Sequence, residues 1–307
     1  MSNVDTSKFT KNAKEILQYI SPSEIIDKIR YFRTINLKTI SDSKLENAID
    51  NVLKVNVNGE LKSVQFQFSK ILGGENIHLR FCRIRRLTKE DKQSRDFRSM
   101  KMENDAWWPP QEFVKTRGRL NKEYESLLYV ADTFETALEE TKIELGESFY
   151  YIEYRTNKPI RACFIGEWED FEELNETENL KLKLYNEFLV NEFSKDVGTG
   201  TEFLYRPSEI IAKQYFNQDS VQDAWCYTSV ADKKRYNYCF YPHKAKECLD
   251  LVGVRCCKLI FQNGQKVQII LDAIGSDSNG NLIYHKIDSE ISKKTFFLMN
   301  TIYELPN

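Results

Sequence analysis

The spacing of apolar residues changes from a helical period to a strand period near residue 57. Before that point, apolar side chains recur every three or four positions, which predicts short helices within 6–20, 21–32 and 41–55. Ser21 followed by Pro22 is typical of a helix start, because serine can cap the first turn and that turn does not need the amide proton that proline lacks. We therefore expect a helical N-terminal region over residues 1–56.

Beyond this region, apolar and polar residues alternate, which predicts strands. Asn58-Gly59 lies between two alternating stretches and predicts a β-hairpin, since both residue types accept the positive φ of a two-residue turn. The same pattern predicts strands over 77–87, 126–132, 148–156, 160–166 and 223–229. A C-terminal β-meander is predicted over 252–261, 266–274 and 281–287, with turns at Asn263-Gly264 and Asn279-Gly280.

Helical periodicity returns between these strands. We expect a helix that is capped by Asp132 or Thr133 and runs to about Leu145, with Gly146 as its stop signal. Further helices are expected over 167–196 and 207–216. The interleaved order predicts an α+β domain over residues 57–307, which the helical region precedes.

The composition is that of an ordinary soluble protein. Of the 307 residues, 41% are hydrophobic and 29% are charged, and the net charge of -2 lacks the basic excess of proteins that coat nucleic acid. We find no secretory signal, no apolar run long enough for a membrane span, and seven cysteines without paired spacing. We therefore expect a cytoplasmic protein without a membrane partner or a structural metal, and we leave a homo-oligomer open.

Glu140 and its neighbour Glu139 occupy different positions around the helix predicted after Asp132. At 100° per residue, Glu140 flanks the apolar face beside Ala137, while Glu139 points away from it. A carboxylate at the edge of the core could accept a hydrogen bond from a ribose hydroxyl or stabilise a developing cation. The alternative is an ordinary solvated glutamate.

Arg83 and Arg119 are candidates for binding an anion. A guanidinium offers a planar fork that pairs with two phosphate oxygens at once, and Gly118 would let the backbone bring Arg119 inward. Surface salt bridges are the alternative for both. The arginines of the predicted strand could instead form a nucleic-acid patch, at Arg80, Arg83, Arg85 and Arg86, although the overall charge makes this secondary.

Tyr129 lies just before the helix predicted after Asp132, and Ser229 ends a predicted strand and begins a loop. Tyr129 could stack on a nicotinamide or adenine ring, or it could pack in the core. Ser229 is placed where binding hydroxyls often lie, or it is a simple turn residue. The chain lacks the sequence patterns of Rossmann, P-loop, zincin and serine-hydrolase sites.

Taken in order, these segments resemble the RES domain family, which is named for an Arg, a Glu and a Ser. The segment FCRIR resembles the one that carries the family's Arg, at Arg83. The stretch PPQEF…GRLN…LLYVADTFETALEET is similar to the family's Gly-Arg-x-Asn, Leu-Tyr and Thr-Ala-x-x-Glu pattern, at Arg119, Tyr129 and Glu140. The stretch PSEIIAKQY…DAWCYTSVADKKRYNYCF resembles the closing segment, at Ser229 and Asn237, so the likeness spans about residues 75–245.

The resemblance implies an ADP-ribosyltransferase-like fold, with a mixed sheet core and an N-terminal helical extension. It implies a toxin of a toxin–antitoxin pair that consumes NAD as a substrate without a metal, and whose antitoxin is commonly a helix-turn-helix protein. Members hydrolyse or phosphorolyse NAD, or transfer ADP-ribose to an acceptor. A non-catalytic module that senses a nucleotide is a further alternative.

The resemblance also implies a role for each matched residue. Glu140 would stabilise the oxocarbenium-like transition state. The other side chains would surround the dinucleotide: Arg83 and Arg119 at the pyrophosphate, Tyr129 at a ring, Ser229 at the nicotinamide end or a phosphate, and Asn237 at the cofactor. We expect Arg83, Glu140 and Ser229 to converge on one cavity.

Overall fold

The computed structural model describes residues 7–63, 68–87, 100–217, 221–231, 233–261, 266–287, 289–296 and 303–304. The chain divides into two compact units. The first comprises Met1–Lys70, Lys115–Tyr124 and Cys163–Thr228, and the second comprises Ile71–Val114, Glu125–Ala162 and Ser229–Asn307. The first unit thus joins the N-terminal helices to later segments of the chain, whereas the sequence led us to expect a boundary at residue 56.

The helices and strands follow one another along the chain in mixed order. The helices are α1 (Ser7–Leu17), α2 (Pro22–Arg33), α3 (Asp42–Leu53), α4 (Phe134–Thr141), α5 (Glu176–Phe193), α6 (Arg206–Tyr215), α7 (Pro242–Cys248) and α8 (Glu290–Thr295). The strands are β1 (Lys54–Val57), β2 (Glu60–Ser63), β3 (Phe68–Leu72), β4 (Arg80–Arg86), β5 (Leu128–Ala131), β6 (Ser148–Thr156), β7 (Ile160–Ile165), β8 (Ala224–Thr228), β9 (Tyr236–Phe240), β10 (Leu249–Phe261), β11 (Lys266–Ser276), β12 (Leu282–His285) and β13 (Tyr303–Glu304). This order, with a large mixed sheet, confirms the α+β class.

The N-terminal helices and the hairpin of the first unit agree with the sequence prediction. α2 begins at Pro22, and Ser21 Oγ accepts a hydrogen bond from the amide of Glu24 at 3.2 Å. The predicted apolar stripe of α3 is buried, at Leu45, Ile49, Val52 and Leu53. β1 and β2 pair antiparallel around Asn58 and Gly59, whose φ angles are 54° and 94°. Local periodicity and turn chemistry were therefore sufficient for these elements.

α5 is shorter than the predicted helix over 167–196. Asn175 and Glu178 form a capping box, in which each side chain accepts a hydrogen bond of 2.9 Å from the backbone amide of the other. This reciprocal cap satisfies free amides of the first turn and begins the helix at Glu176. The predicted start at residue 167 is therefore wrong.

The sheet of the second unit places its strands in the order β12-β11-β10-β6-β4-β5-β9. These neighbours pair antiparallel, while β13 lies parallel to β11. β10, β11 and β12 form the predicted meander, although its turn at Asn263-Gly264 lies outside the described residues. The sequence pattern made no prediction for β9, α7 and α8.

One face of this sheet supports α4. The strand registers place Cys82 of β4, Ala131 of β5 and Asn237 of β9 side by side. Cys82 Sγ donates a hydrogen bond to the Thr133 carbonyl at 3.1 Å, and the apolar side of α4 belongs to the same core cluster, through Phe134, Ala137 and Leu138. The residues directly before and after Cys82 on β4 therefore project from the opposite face of the sheet.

α4 begins at a predicted cap and ends earlier than predicted. Thr133 Oγ1 accepts a hydrogen bond from the Thr136 amide at 3.2 Å, so Thr133, rather than Asp132, is the N-cap. The helix ends at Thr141, because Lys142 adopts the left-handed conformation with φ 52°. The amide of Gly146 donates to the Leu259 carbonyl of β10 at 2.7 Å, so the predicted continuation to Leu145 is wrong.

Candidate active site

Glu140 lies in the last turn of α4, at the edge of the core. Its side chain is partly buried, whereas the adjacent Glu139 is exposed to solvent. The difference follows from the helical rotation between them, since Ala137 and Leu138 face the sheet and are buried. The predicted contrast between the two carboxylates is confirmed.

One oxygen of the Glu140 carboxylate is held by Ser229, Val230 and Asn237. We call Glu140 and these three residues the Glu140 site. Within the described residues, Glu140 Oε1 accepts hydrogen bonds from Ser229 Oγ at 2.5 Å, from the Val230 amide at 2.9 Å and from Asn237 Nδ2 at 2.8 Å. Hydrogen bonds to an ionised acceptor are the stronger kind. The chain thus brings together three of the predicted site residues: Glu140, Ser229 and Asn237.

The Ser229 hydroxyl is oriented by its own loop. Ser229 is fully buried, and its amide donates to the Arg235 carbonyl at 2.9 Å. The Ala231 amide donates to Ser229 Oγ at 3.1 Å, which directs the hydroxyl proton toward Glu140. The loop after β8 therefore supplies both a side-chain donor and a backbone donor to the same carboxylate oxygen.

The second carboxylate oxygen of Glu140, Oε2, differs from Oε1 in its contacts. In the part of the chain that the structure describes, no group donates a hydrogen bond to Oε2. Because Oε1 is held by three donors, the carboxylate plane is fixed while Oε2 remains able to accept from a ligand. Such an oxygen can accept a hydrogen bond from a sugar hydroxyl or lie beside a developing positive charge.

Arg83 lies on the face of the sheet opposite α4. It follows Cys82 on β4, and its Nη1 donates to the carbonyl of Trp107, whose ring packs on Tyr154 at 5.3 Å. Burial lowers the pKa of the Arg83 guanidinium from its ordinary value, with smaller effects from Tyr154 and Arg85. These contacts do not bring Arg83 to Glu140 and Ser229, so the expected convergence of all three is corrected to a convergence of Glu140 and Ser229 alone. Alternation along a strand could have indicated this, once the face covered by α4 was known.

Arg80 and Arg85, which also lie on β4, contact other groups of the second unit. Arg80 pairs with Glu153 and donates to the Thr295 carbonyl at 3.1 Å, while Arg85 donates to the Asp105 carbonyl at 3.2 Å. Successive side chains on a strand point to opposite faces, so these arginines do not form one continuous patch. The alternative of a nucleic-acid surface on β4 finds no support in this arrangement.

Arg119 belongs to the first unit and is almost fully buried there. Its Nη2 donates to the Lys195 carbonyl at 3.1 Å, and its guanidinium lies 5.1 and 5.5 Å from the ring centroids of Tyr205 and Tyr227. Within the described residues, the buried Nη1 has no hydrogen-bond partner. A buried donor of this kind is suited to an anionic acceptor, so its assignment to a pyrophosphate stays a prediction.

Tyr129 lies on β5 opposite Cys239 of β9. It is two residues from Ala131 and therefore projects from the face that bears α4, where its side chain is partly buried. Its role at a ligand ring stays a prediction.

The Val230 amide is a member of the Glu140 site that sequence reasoning did not identify. Backbone donors have no residue-type signal, because every residue except proline carries one. Its position directly after Ser229 was the available indication, since a buried serine at a strand end places the next amide close to the same acceptor.

Comparison of the chain with models of known protein families gives no match, and comparison with curated protein sequences gives none either. None of the helices in the described ranges combines the length and the apolar character needed to cross a membrane. Among those same residues, no group of three or more His, Cys, Asp and Glu side chains is placed to hold a metal ion. The Glu140 site is therefore the feature of the molecule from which a function can be inferred.

Proposed function

We propose that this protein is an enzyme that cleaves the nicotinamide–ribose bond of NAD, with Glu140 as its catalytic carboxylate. The observation that carries the proposal is the geometry of Glu140, in which Oε1 is fixed by Ser229, Val230 and Asn237 while Oε2 is left to accept from a ligand. The resemblance of the same motifs to the RES domain supports it. On this basis the fold is of the ADP-ribosyltransferase-like type.

The chemistry requires one carboxylate rather than two. When the bond between the ribose C1′ and the ring nitrogen breaks, the electron pair goes to that nitrogen and neutralises the pyridinium. Nicotinamide therefore leaves without needing a proton from a general acid, unlike the sugar oxygen in glycoside hydrolysis. The remaining requirement is to stabilise positive charge on the ribose, which Glu140 Oε2 supplies while accepting from a ribose hydroxyl.

The donors on Oε1 give Glu140 a preset orientation. A catalytic carboxylate that had to be ordered in the transition state would lose part of its effect to reorganisation. Ser229, Val230 and Asn237 come from one loop and the adjoining strand β9, so the orientation is built into the fold before a ligand binds. Water or inorganic phosphate then bonds to C1′ and loses a proton to solvent.

The other residues that the resemblance matches are assigned to parts of NAD on grounds separate from the geometry of Glu140. Arg119 belongs to the first unit and is assigned to the pyrophosphate through the resemblance alone. Tyr129 is assigned to a ligand ring through the resemblance. We leave Arg83 out of the ligand site, since its guanidinium binds the Trp107 carbonyl on the other face of the sheet.

The resemblance extends the proposal to biological context. The enzyme acts as a toxin in the cytoplasm, and a helix-turn-helix antitoxin binds it and blocks NAD consumption. Measuring NAD loss with and without a candidate antitoxin tests this extension separately from the chemistry.

Replacing Glu140 tests the proposal directly. Glu140→Gln keeps the size of the side chain but removes its negative charge, so we expect NAD consumption to fall by about 10²- to 10³-fold. Glu139→Gln is the matched control, because Glu139 is the exposed neighbour on the same helix and its replacement should leave turnover unchanged. Thermal unfolding of both variants checks that the fold is intact. Full turnover by Glu140→Gln would remove Glu140 from the mechanism.

Product analysis distinguishes the acceptors of the ribose. With NAD labelled in its adenylate part, free ADP-ribose indicates hydrolysis, a phosphorylated ADP-ribose indicates phosphorolysis, and label on protein or nucleic acid indicates transfer. NAD that binds but is not consumed would instead favour a nucleotide-sensing module and contradict the enzymatic proposal.

A further inference from the structure

The helix that carries Glu140 is short and ends immediately after it. α4 has eight residues, fewer than an isolated helix needs to be stable in water. Glu140 is its penultimate residue, so the position of the carboxylate depends on the last turn. The carbonyls of that turn have no partner further along the helix and need donors from elsewhere.

The residue that ends α4 is held in an uncommon conformation. Lys142 has φ 52°, a left-handed geometry that glycine or asparagine usually supplies at a helix end. For a residue with a Cβ atom this geometry is costly, and it persists where the surroundings impose it. The Lys142 amide donates to the Glu139 carbonyl at 3.0 Å, which closes the last turn.

Arg86 supplies the missing donors from β4. Its Nε and Nη2 donate to the Thr141 carbonyl at 3.2 and 2.9 Å, and Nη2 also donates to the Lys142 carbonyl. Its Nη1 donates to both carboxylate oxygens of Glu147 at 3.0 and 2.8 Å. The guanidinium is therefore fixed on one side by the carboxylate and binds the end of α4 with the other.

The chemistry of this contact requires an arginine. A guanidinium presents several donors in one rigid plane, whereas a lysine ammonium is a single point of charge on a flexible stem. A cation at a helix C-terminus also interacts favourably with the negative end of the helix dipole. Arg86 provides both effects at the carbonyl of Thr141, the residue that follows Glu140.

We propose that Arg86 is a positioning residue, which clamps the C-terminal turn of α4 and thereby holds Glu140 against Ser229 and Asn237. This inference rests on the proposed function, since its consequence is a correctly placed catalytic carboxylate. Arg86 does not touch the ligand and acts through the backbone of Thr141 and Lys142.

Three variants separate this role from a general contribution to stability. Arg86→Gln removes the charge and the fork, and Arg86→Lys keeps the charge but cannot span both carbonyls and Glu147. Arg85→Gln is the matched control, because Arg85 is the adjacent arginine of β4 and donates to the Asp105 carbonyl on the other face. Each variant is assayed for kcat and KM of NAD consumption and for amide hydrogen exchange over residues 134–146.

We expect Arg86→Gln to lower kcat by about 10- to 100-fold, as small displacements of catalytic groups do, with a smaller change in KM. The amides of the last turn of α4 should exchange faster. Arg86→Lys should lie between Arg86→Gln and the wild-type protein, and Arg85→Gln should retain the wild-type kcat and exchange. A general loss of stability would instead accelerate exchange throughout the second unit and leave the kcat of the folded fraction unchanged.

Several results would overturn the inference. Wild-type kcat in Arg86→Gln would do so, as would a lowered kcat without faster exchange in α4. If Arg86→Gln does not fold, Arg86→Lys decides by the same two measurements. If the wild-type protein consumes no NAD, the proposed function fails independently of Arg86. The exchange measurement then tests the clamp alone: faster exchange at the end of α4 in Arg86→Gln supports it, and unchanged exchange contradicts it.

Discussion

At the scale of single residues, two adjacent glutamates of one helix have different surroundings. Glu139 is exposed, while Glu140 is partly buried and has one oxygen bound by a hydroxyl, an amide and a carboxamide. Sequence periodicity distinguished them, because a rotation of 100° moves a side chain from solvent to the core boundary. The binding of Oε1 depends on residues about ninety positions away and could not be read from the helix alone.

Ser229→Ala tests how much of the Glu140 geometry depends on the serine hydroxyl. The change removes one hydrogen bond to a carboxylate and leaves the Val230 and Asn237 donors in place. A hydrogen bond to a charged group contributes about 1.5–3 kcal/mol, so we expect kcat for NAD consumption to fall by at least about tenfold.

The control for this change is Thr228→Val, which removes the neighbouring hydroxyl and should keep wild-type turnover. Combining Ser229→Ala with Asn237→Ala should give less than the product of the separate losses, because both residues hold the same oxygen. An unchanged kcat in Ser229→Ala would show that the backbone amide and Asn237 suffice.

At the scale of elements, the end of α4 shows where local sequence signals were overridden. Gly146 was the expected stop signal, yet its amide pairs with Leu259 of β10 and the helix ends at Thr141. Arg86 and the left-handed Lys142 together replace a glycine cap. The helix is therefore ended by contacts with the sheet rather than by its own sequence.

Lys142→Gly should stabilise the protein. Glycine adopts the left-handed conformation without the steric cost that a side chain carries, and the gain offsets the added freedom of the unfolded chain. We expect the free energy of unfolding to rise by about 0.5–1 kcal/mol, measured by urea denaturation. Gly146, whose φ is 84°, provides the opposite control, because Gly146→Ala should lower stability. A loss of stability in Lys142→Gly would mean that contacts of the lysine side chain outweigh its backbone strain.

At the scale of the whole molecule, charged side chains inside the second unit are paired across elements distant in sequence. Arg255 of β10 binds Asp272 of β11 through Nε at 2.9 Å and through Nη2 at 3.2 Å, and Ser292 of α8 also binds Asp272. Glu153 of β6 accepts from Tyr151 at 2.7 Å and pairs with Arg80. Buried ions require such partners, so removing one member should cost far more than a surface pair would.

Glu103 gives this unit a pH dependence. Its carboxylate accepts hydrogen bonds from Ser276 at 2.8 Å, from Lys246 at 3.1 Å and from Trp107 at 3.2 Å. The hydrogen bond from Ser276 is the largest of the effects that lower the pKa of Glu103 below its ordinary value of 4.5. Burial, the next largest effect, raises this pKa, and Lys246 and Trp107 lower it again. The folded state therefore binds this proton less readily than the unfolded state, and the stabilisation is present above the unfolded pKa and is lost as the pH falls through the folded pKa.

Replacing Glu103 should reveal that dependence. We expect Glu103→Gln to lower the free energy of unfolding by on the order of 1 kcal/mol near neutral pH, after allowance for solvent screening, and by progressively less in acid. Urea denaturation of both proteins between about pH 7 and pH 3 measures the difference. Glu112→Gln serves as a control, because Glu112 is an exposed glutamate of the same unit. An equal difference at every pH would contradict the assigned role of the Glu103 charge.

The sequence by itself determined the elements whose signals are local. The N-terminal helices, the Asn58-Gly59 hairpin, the strands β4 to β8 and the C-terminal meander follow from periodicity and turn chemistry, since both report the backbone and the buried side of one segment. The motifs also identified Glu140, Ser229 and Asn237 correctly as residues that meet in space. What those residues do together stays a proposal for experiment.

Only the tertiary structure decided which side of the sheet each element covers and how α4 ends. Arg83 was expected beside Glu140, but α4 packs on the face of Cys82, so Arg83 faces Trp107 instead. Arg86 reaches the end of α4 across a sequence separation of 55 residues. Periodicity says which residues share a face, but which face a helix covers depends on packing between distant segments, and no local pattern contains that information.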